Sequence, residues 1–148
     1  MKNMKLLILS CSEKKDENIY SIPALDRYKS PSFFIVKKHL REHTGDKQVI
    51  WILSAKYGLI EANSLIKFYD FKLSPAHIEN LSKKVRKQSQ VLHEKYFATA
   101  EPNQIFCNLS KLYLLVLVNY LSKFNNVQTA KGSFGEKGKM LKTWLDNN

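Results

Sequence analysis

Leu6, Leu7, Ile8 and Leu9 form an unbroken apolar run that stops at Ser10-Cys11-Ser12, with Lys14 and Lys15 close behind. A run so short and continuous reads as a strand buried on both faces, the condition of a strand inside a parallel sheet. The polar, basic segment after it falls at the strand's carboxyl end, where open α/β sheets place their ligand sites. Gln48 to Ser54 repeats the plan with β-branched and aromatic residues and ends at Ala55-Lys56-Tyr57-Gly58. Gln104 to Asn108 and Asn126 to Thr129 repeat it more weakly.

Helical segments alternate with these strands. Ser30-Pro31 has the form of an N-cap followed by proline in the first turn, and Phe33, Val36 and Leu40 recur at helical spacing. A helix is expected over 31–43, stopped by Thr44-Gly45-Asp46. Leu59 to Leu73 shows no clear period and reads as a long loop, a kind that is often functional. Ser74-Pro75 opens a second helix with Ile78, Leu81, Val85 and Leu92 inward, ending near Ala100. Lys111 to Phe124 is apolar nearly all round and reads as a buried helix, with a strand as the alternative. Gly132, Gly135 and Gly138 lead into a last helix carrying Met140, Leu141 and Trp144. The alternation predicts a single α/β domain over 1–148. Its architecture would be a three-layer α/β/α sandwich around a mainly parallel sheet of roughly four strands.

Charge narrows the function classes. The chain has 24 Lys+Arg against 13 Asp+Glu, a net charge of +11, which suits an anionic partner, DNA or RNA before a membrane surface. Most of the excess is lysine, so a lysine-rich proteome bias is the plainer explanation. The exposed side of the long helix offers Lys83, Lys84, Arg86, Lys87 and Lys95 as phosphate contacts, or simply as a solvated face. The longest apolar stretch, Leu112 to Val118, is far short of the about 20 residues a bilayer span needs. No secretory signal is visible, and Cys11 and Cys107 make no disulfide framework, so a cytoplasmic location with reduced thiols is expected. The four histidines and two cysteines show no zinc spacing, and neither a metal nor a cofactor is expected.

Several motifs carry chemistry unequally. Gly132 to Lys139 resembles a phosphate loop, but Ser133 stands where its first glycine belongs and Met140 where the magnesium-binding hydroxyl belongs. Gly132-Ser133-Phe134-Gly135 also fits a four-residue RNA-binding loop, without the matching topology. Cys11 reads as a small apolar filler, since no histidine lies near it in sequence. Lysines at strand ends, Lys15 and Lys56, can hold a phosphate or attack an electrophilic sugar carbon. Ser54 and Tyr57 would face the same crevice, Tyr57 as a stacking platform for a base. Asp16, Asp26, Glu61 and Asp70 are the available acids, and Asp70, between Tyr69 and Phe71, is the preferred one. Cleavage of a glycosidic bond passes through an oxocarbenium-like state that such a carboxylate stabilises.

Taken together, Ser10-Cys11-Ser12-x-x-Lys15, Tyr28-x-Ser30-x-x-Phe33, Leu53-Ser54-Ala55-Lys56-Tyr57-Gly58-Leu59 and Tyr69-Asp70 resemble an uncharacterised bacterial and phage domain family with these motifs in the same order. Phe68 stands where that family tends to have proline. Cys11, Ser12, Lys15, Tyr28 and Ser30 are more distantly similar to the signature of archaeosine synthase, a relative of tRNA-guanine transglycosylases. Asp16-Glu17 and Phe33 depart from that signature. The resemblance implies a uracil-DNA-glycosylase-like fold and base chemistry on DNA or RNA. It makes Lys15, Lys56 and Asp70 the catalytic candidates, with Cys11, Ser12, Tyr28, Ser30, Ser54, Tyr57, Gly58 and Tyr69 around the substrate. The alternative is a non-catalytic nucleic-acid-binding module with a basic crevice.

Overall fold

The computed structural model describes residues 4–45 and 48–147. Asp46, part of the expected helix stop, lies outside the described residues. The chain forms an α/β fold on a mixed sheet of five strands. Its elements are β1 (Lys5–Ser10), β2 (Ile22–Pro23), α1 (Ala24–Arg27), α2 (Pro31–Glu42), β3 (Gln48–Ser54), β4 (Gly58–Glu61), β5 (Leu65–Ile66), α3 (Ile78–Phe97), β6 (Gln104–Asn108), α4 (Lys111–Leu121), β7 (Val127–Thr129) and α5 (Phe134–Asp146).

The sheet order is β4-β3-β1-β6-β7, with β2 and β5 forming a separate small pair. β1 lies between β3 and β6, parallel to both, with Leu7 opposite Ile50 on one side and Phe106 on the other. β7 adds in parallel to β6. The chain goes from β1 to one neighbour, then crosses back to the other. The carboxyl ends of β1 and β6 therefore flank a reversal of strand order, the place where α/β sheets open a crevice.

Period-two alternation divides the core. Leu6 and Ile8 face one side, with Leu81, Val85 and Phe97 of α3 and Val116, Leu117 and Tyr120 of α4. Leu7 and Leu9 face the other, with Phe33 and Val36 of α2 and Leu141, Trp144 and Leu145 of α5. Leu6 to Leu9 are all fully buried, as a doubly covered strand requires.

Four expectations need correction. The sheet has five strands and is mixed, because β4 pairs antiparallel to β3. The stretch 59–73 is therefore not simply a loop: it begins as the return strand of a hairpin, includes β5, and only then becomes irregular. A 3-10 turn, Pro75–His77, precedes α3, which ends at Phe97 rather than near Ala100. α4 ends at Leu121 and is covered on one side only, with Leu115 and Val118 more than half exposed. Ser30 and Ser74 hold N-cap positions, but neither side chain makes the capping hydrogen bond. The glycine-rich turn is structural: Ser133 Oγ accepts from Glu136 N while Glu136 accepts from Ser133 N, a capping box opening α5.

Candidate active site

The largely irregular segment 12–21 is tied down. Lys15 forms a β-bridge with Tyr28, Asp16 N donates to Arg27 O at 2.7 Å, and Lys29 N donates to Lys14 O at 2.9 Å. Asp16 and Asn18 side chains each accept the backbone N–H two residues on, both at 2.9 Å. Arg27 is fully buried and makes no ion pair among the described contacts. Instead it donates to four carbonyls: Asp16 at 2.6 Å, Asn18 at 2.9 Å, Tyr20 at 2.7 Å and Ile66 at 3.1 Å. Sequence reasoning missed Arg27, since nothing local distinguishes it from a surface arginine. Ser12, expected to touch substrate, donates to Lys14 O and accepts from Lys29 N, so it shapes this turn.

Three buried hydroxyls join this segment to the end of β3. Tyr69 OH lies 2.8 Å from Tyr28 OH and 2.9 Å from Ser54 Oγ. Ser54 Oγ also accepts from the backbone N–H groups of Lys56 and Tyr57, which fixes the turn between β3 and β4. Burial pushes both phenols well above the ordinary tyrosine range, and the neighbouring Cys11 adds to the effect. They are neutral hydrogen-bonding groups at any physiological pH. Gly58 closes the turn at φ +79°, where a Cβ would stand 2.0 Å from Gln88 Oε1. Gln88 in turn accepts from Leu59 N at 2.8 Å and donates to Tyr57 O at 2.9 Å. Gly58 is thus a requirement of the fold, not a substrate contact.

The two lysines converge on Tyr69. Lys15 Nζ stands 4.6 Å from its ring centre, and Lys56 Nζ stands 5.9 Å from it and 5.4 Å from that of Tyr57. Tyr57 meets Tyr69 edge-on at 5.4 Å. Beside this group a crevice of about 240 Å³ is lined by Cys11, Ser12, Lys15, Asp70, Leu73 and Tyr113, among others. Lys15 and Asp70 also line a wider basin reaching Lys14, Asp16, Lys29 and Phe68, so they stand on the wall between the two. Cys11 Sγ lies 3.0 Å from Tyr113 OH. Cys107 is buried, which pushes its thiol up to about 12.

The crevice is not basic. Lys15 and Lys72 there are balanced by Glu13 and Asp70, and Glu13, Asp16, Glu17 and Asp70 in the basin oppose Lys14, Lys15 and Lys29. The carboxylates of 13–17 cancel the lysines among them. Asp16 pairs with Lys29 at 3.7 Å, Asp26 with Lys37 at 3.0 Å, and Glu61 with Lys95 at 2.6 Å. Asp70 is exposed and lines both crevice and basin, as does Glu13.

Lys83, Lys84, Arg86 and Lys87 are all exposed on α3. Lys84 Nζ donates to Lys56 O at 3.2 Å, so this face adjoins the turn after β3. Lys83 is paired on its own helix with Glu79 at 3.8 Å. Ser30 starts α2 and makes no side-chain bond to the crevice group. Sequence reasoning also missed three exposed aromatics: Phe34 and Phe68 line the basin and Phe71 the crevice, at 52%, 43% and 39% exposure. Phe34 could have been found, since it falls off the apolar stripe of α2.

A separate cavity of about 360 Å³ on the α3/α4 side is bounded by His93, Glu101, Tyr120 and Phe124, and none of the expected site residues lines it. Among the described residues no helix is long and apolar enough to cross a membrane.

Comparison with curated proteins gives no match. A family model described as a family of unknown function, DUF6884, matches residues 6–143. With nearly the whole chain covered, the protein belongs to the DUF6884 family.

Proposed function

We propose that this protein is an enzyme acting on a nucleobase in DNA or RNA, by N-glycosidic cleavage or base exchange. We read its helices on both sheet faces as a three-layer sandwich of the uracil-DNA-glycosylase-like kind. The observation that carries the proposal is the wall shared by Lys15, Asp70 and Glu13, a cation and carboxylates between a small crevice and an aromatic-rimmed basin. Charge-balanced walls suit an uncharged base better than a phosphate. Phosphates belong instead on the exposed Lys83–Lys87 face, linked to the site by Lys84 and Lys56. An extruded base stacks on the exposed phenylalanines and Tyr57.

In the hydrolytic form, water adds to the sugar C1′ as the C1′–N bond breaks, and the bonding pair leaves with the base. Asp70 carboxylate stabilises the oxocarbenium-like sugar and takes the proton from water. The Lys15 ammonium offsets the negative charge building on the departing base and donates it a proton. In base exchange an incoming base replaces the water.

The second reading is a nucleic-acid-binding module without chemistry. The exposure of Asp70 favours it, because water around a solvated carboxylate weakens its pull on a developing cation.

One experiment separates the two. The full chain is incubated with modified and unmodified DNA and RNA, and released bases are identified by mass spectrometry. A base released by the native chain and lost with Lys15→Ala or Asp70→Asn, while binding persists, supports the enzyme. Salt-sensitive binding with no base released, weakened by Lys15→Ala and kept or strengthened by Asp70→Asn, supports the module.

A further inference from the structure

We infer that His39, His43 and Asp146 form a divalent transition-metal site, best suited to zinc, at the end of the sheet opposite the crevice. His39 lies in the last turn of α2, and His43, four residues on, is the C-cap residue whose backbone N–H returns to His39 O. Asp146 is the last residue of α5, which packs against α2. One ligand atom from each lies within 4.8 Å of the others. His39 Nδ1 and Asp146 Oδ1 are 3.6 Å apart. Two ligands of a tetrahedral zinc, each bound at about 2.0 Å, stand about 3.3 Å from one another, so this pair is already close to coordinating distance.

The third ligand has only a short way to move. His43 is exposed and its ring stacks on that of His39, with centroids 4.3 Å apart and planes 19° from parallel. In the stacked position its Nδ1 faces His39 O at 3.2 Å, and a proton held there leaves Nε2 bare as the donor once the ring turns toward the ion.

The last turn of α2 ends here, and the partial negative charge of its final carbonyls attracts a cation, while at the end of α5 Lys5 Nζ already takes the Trp144 and Asn147 carbonyls. His39 is buried and its Nε2 lies 3.3 Å from Gln48 Nε2, while Gln48 Oε1 is buried without a hydrogen-bond partner. With the amide turned over, Oε1 accepts from a protonated Nε2. The His39 Nδ1 lone pair then points at Asp146, the outer-sphere arrangement that metal-bound histidines use. Two imidazoles and a carboxylate, one buried and two exposed, leave a coordination position open to water. The ion would clasp the carboxyl ends of α2 and α5 together.

The test uses the full chain with no histidine tag, titrated with zinc chloride by calorimetry and followed by thermal denaturation. The expected result is one zinc per chain, a raised Tm, and affinity at least about tenfold weaker in His43→Ala and in Asp146→Asn. Both residues are exposed, and circular dichroism verifies that the variants fold. His77→Ala, remote from the site, keeps native affinity. Cobalt(II) in place of zinc shows the visible absorption of a four-coordinate ion, absent in His43→Ala. Zinc uptake well below one per chain, or equal affinity in the native chain and both variants, overturns the assignment.

Discussion

The Lys15 ammonium stands 4.6 Å from the ring centre of Tyr69, whose hydroxyl is held between Tyr28 and Ser54. One tyrosine therefore presents its face to the crevice cation and its polar end to the core. The two ends are separable by mutation. Lys15→Ala removes a partly exposed cation–π contact worth about 0.5–1 kcal/mol, so urea denaturation should show only a small loss of stability. The same variant should show a large loss of base release. A collapse of stability would instead make Lys15 structural.

Tyr69→Phe keeps the ring and deletes the shared hydroxyl. Ser54 and Tyr28 each lose a buried partner, and stability should fall by roughly 1–3 kcal/mol. Denaturation midpoints measure this. Tyr28→Phe together with Tyr69→Phe should cost less than the sum of the single changes, because the pair shares one hydrogen bond.

Gly58→Ala meets two obstacles. Its φ of +79° is unfavourable for any residue with a Cβ, by about 1–2 kcal/mol. The new methyl also displaces Gln88 Oε1, whose hydrogen bond to Leu59 N anchors α3 to the hairpin. The expected loss is roughly 2–4 kcal/mol. Adding Gln88→Ala should remove the clash and leave the backbone strain, so the double variant should remain less stable than Gln88→Ala alone.

Stability should decline in alkali. Cys107, the buried phenols of Tyr28, Tyr69 and Tyr120 and the half-buried phenol of Tyr113 all titrate above their ordinary values, chiefly because burial penalises their charged forms. In the unfolded chain a thiol ionises near pH 8.5 and a phenol near pH 10. Between those values and the folded ones the native state holds more protons, so rising pH favours unfolding. Tm should be insensitive to these groups at neutral pH and fall above about pH 9. Phenolate absorbance should report fewer than all the tyrosines until the chain unfolds. All five groups titrating freely in the folded protein would refute the account.

The sequence was most legible where a single period ruled. β1, β3 and β6 are apolar because both faces are covered, and α2 and α3 carry plain helical stripes. β4 was missed because it is four residues long and its placement depends on the turn at Gly58, not on its own pattern. β2, α1 and β5 are shorter than any period can reveal. α4 misled because Leu115 and Val118 are apolar yet exposed. In the site, the joining of Lys15, Ser54, Lys56 and Tyr57 followed from their places after the neighbouring strands β1 and β3, whereas Tyr69 reaches them from the irregular stretch after β5. The charge balance did not, because total charge says nothing of which carboxylates fold in among the lysines. The four-residue spacing of His39 and His43 was passed over in reading the histidines as scattered, and Asp146 joins them only through the packing of α5 on α2.

Arg27 gives one edge of the basin its mechanical character. One guanidinium grips carbonyls from residues 16, 18, 20 and 66, so that segment cannot lift away from β5 without stranding a buried charge. Asp16 lines the basin, so this edge has a fixed shape. Under the proposed function a ligand would meet a standing shape there, closer to a mould than to a jaw, and on that side encounter rather than closure should set the pace of binding.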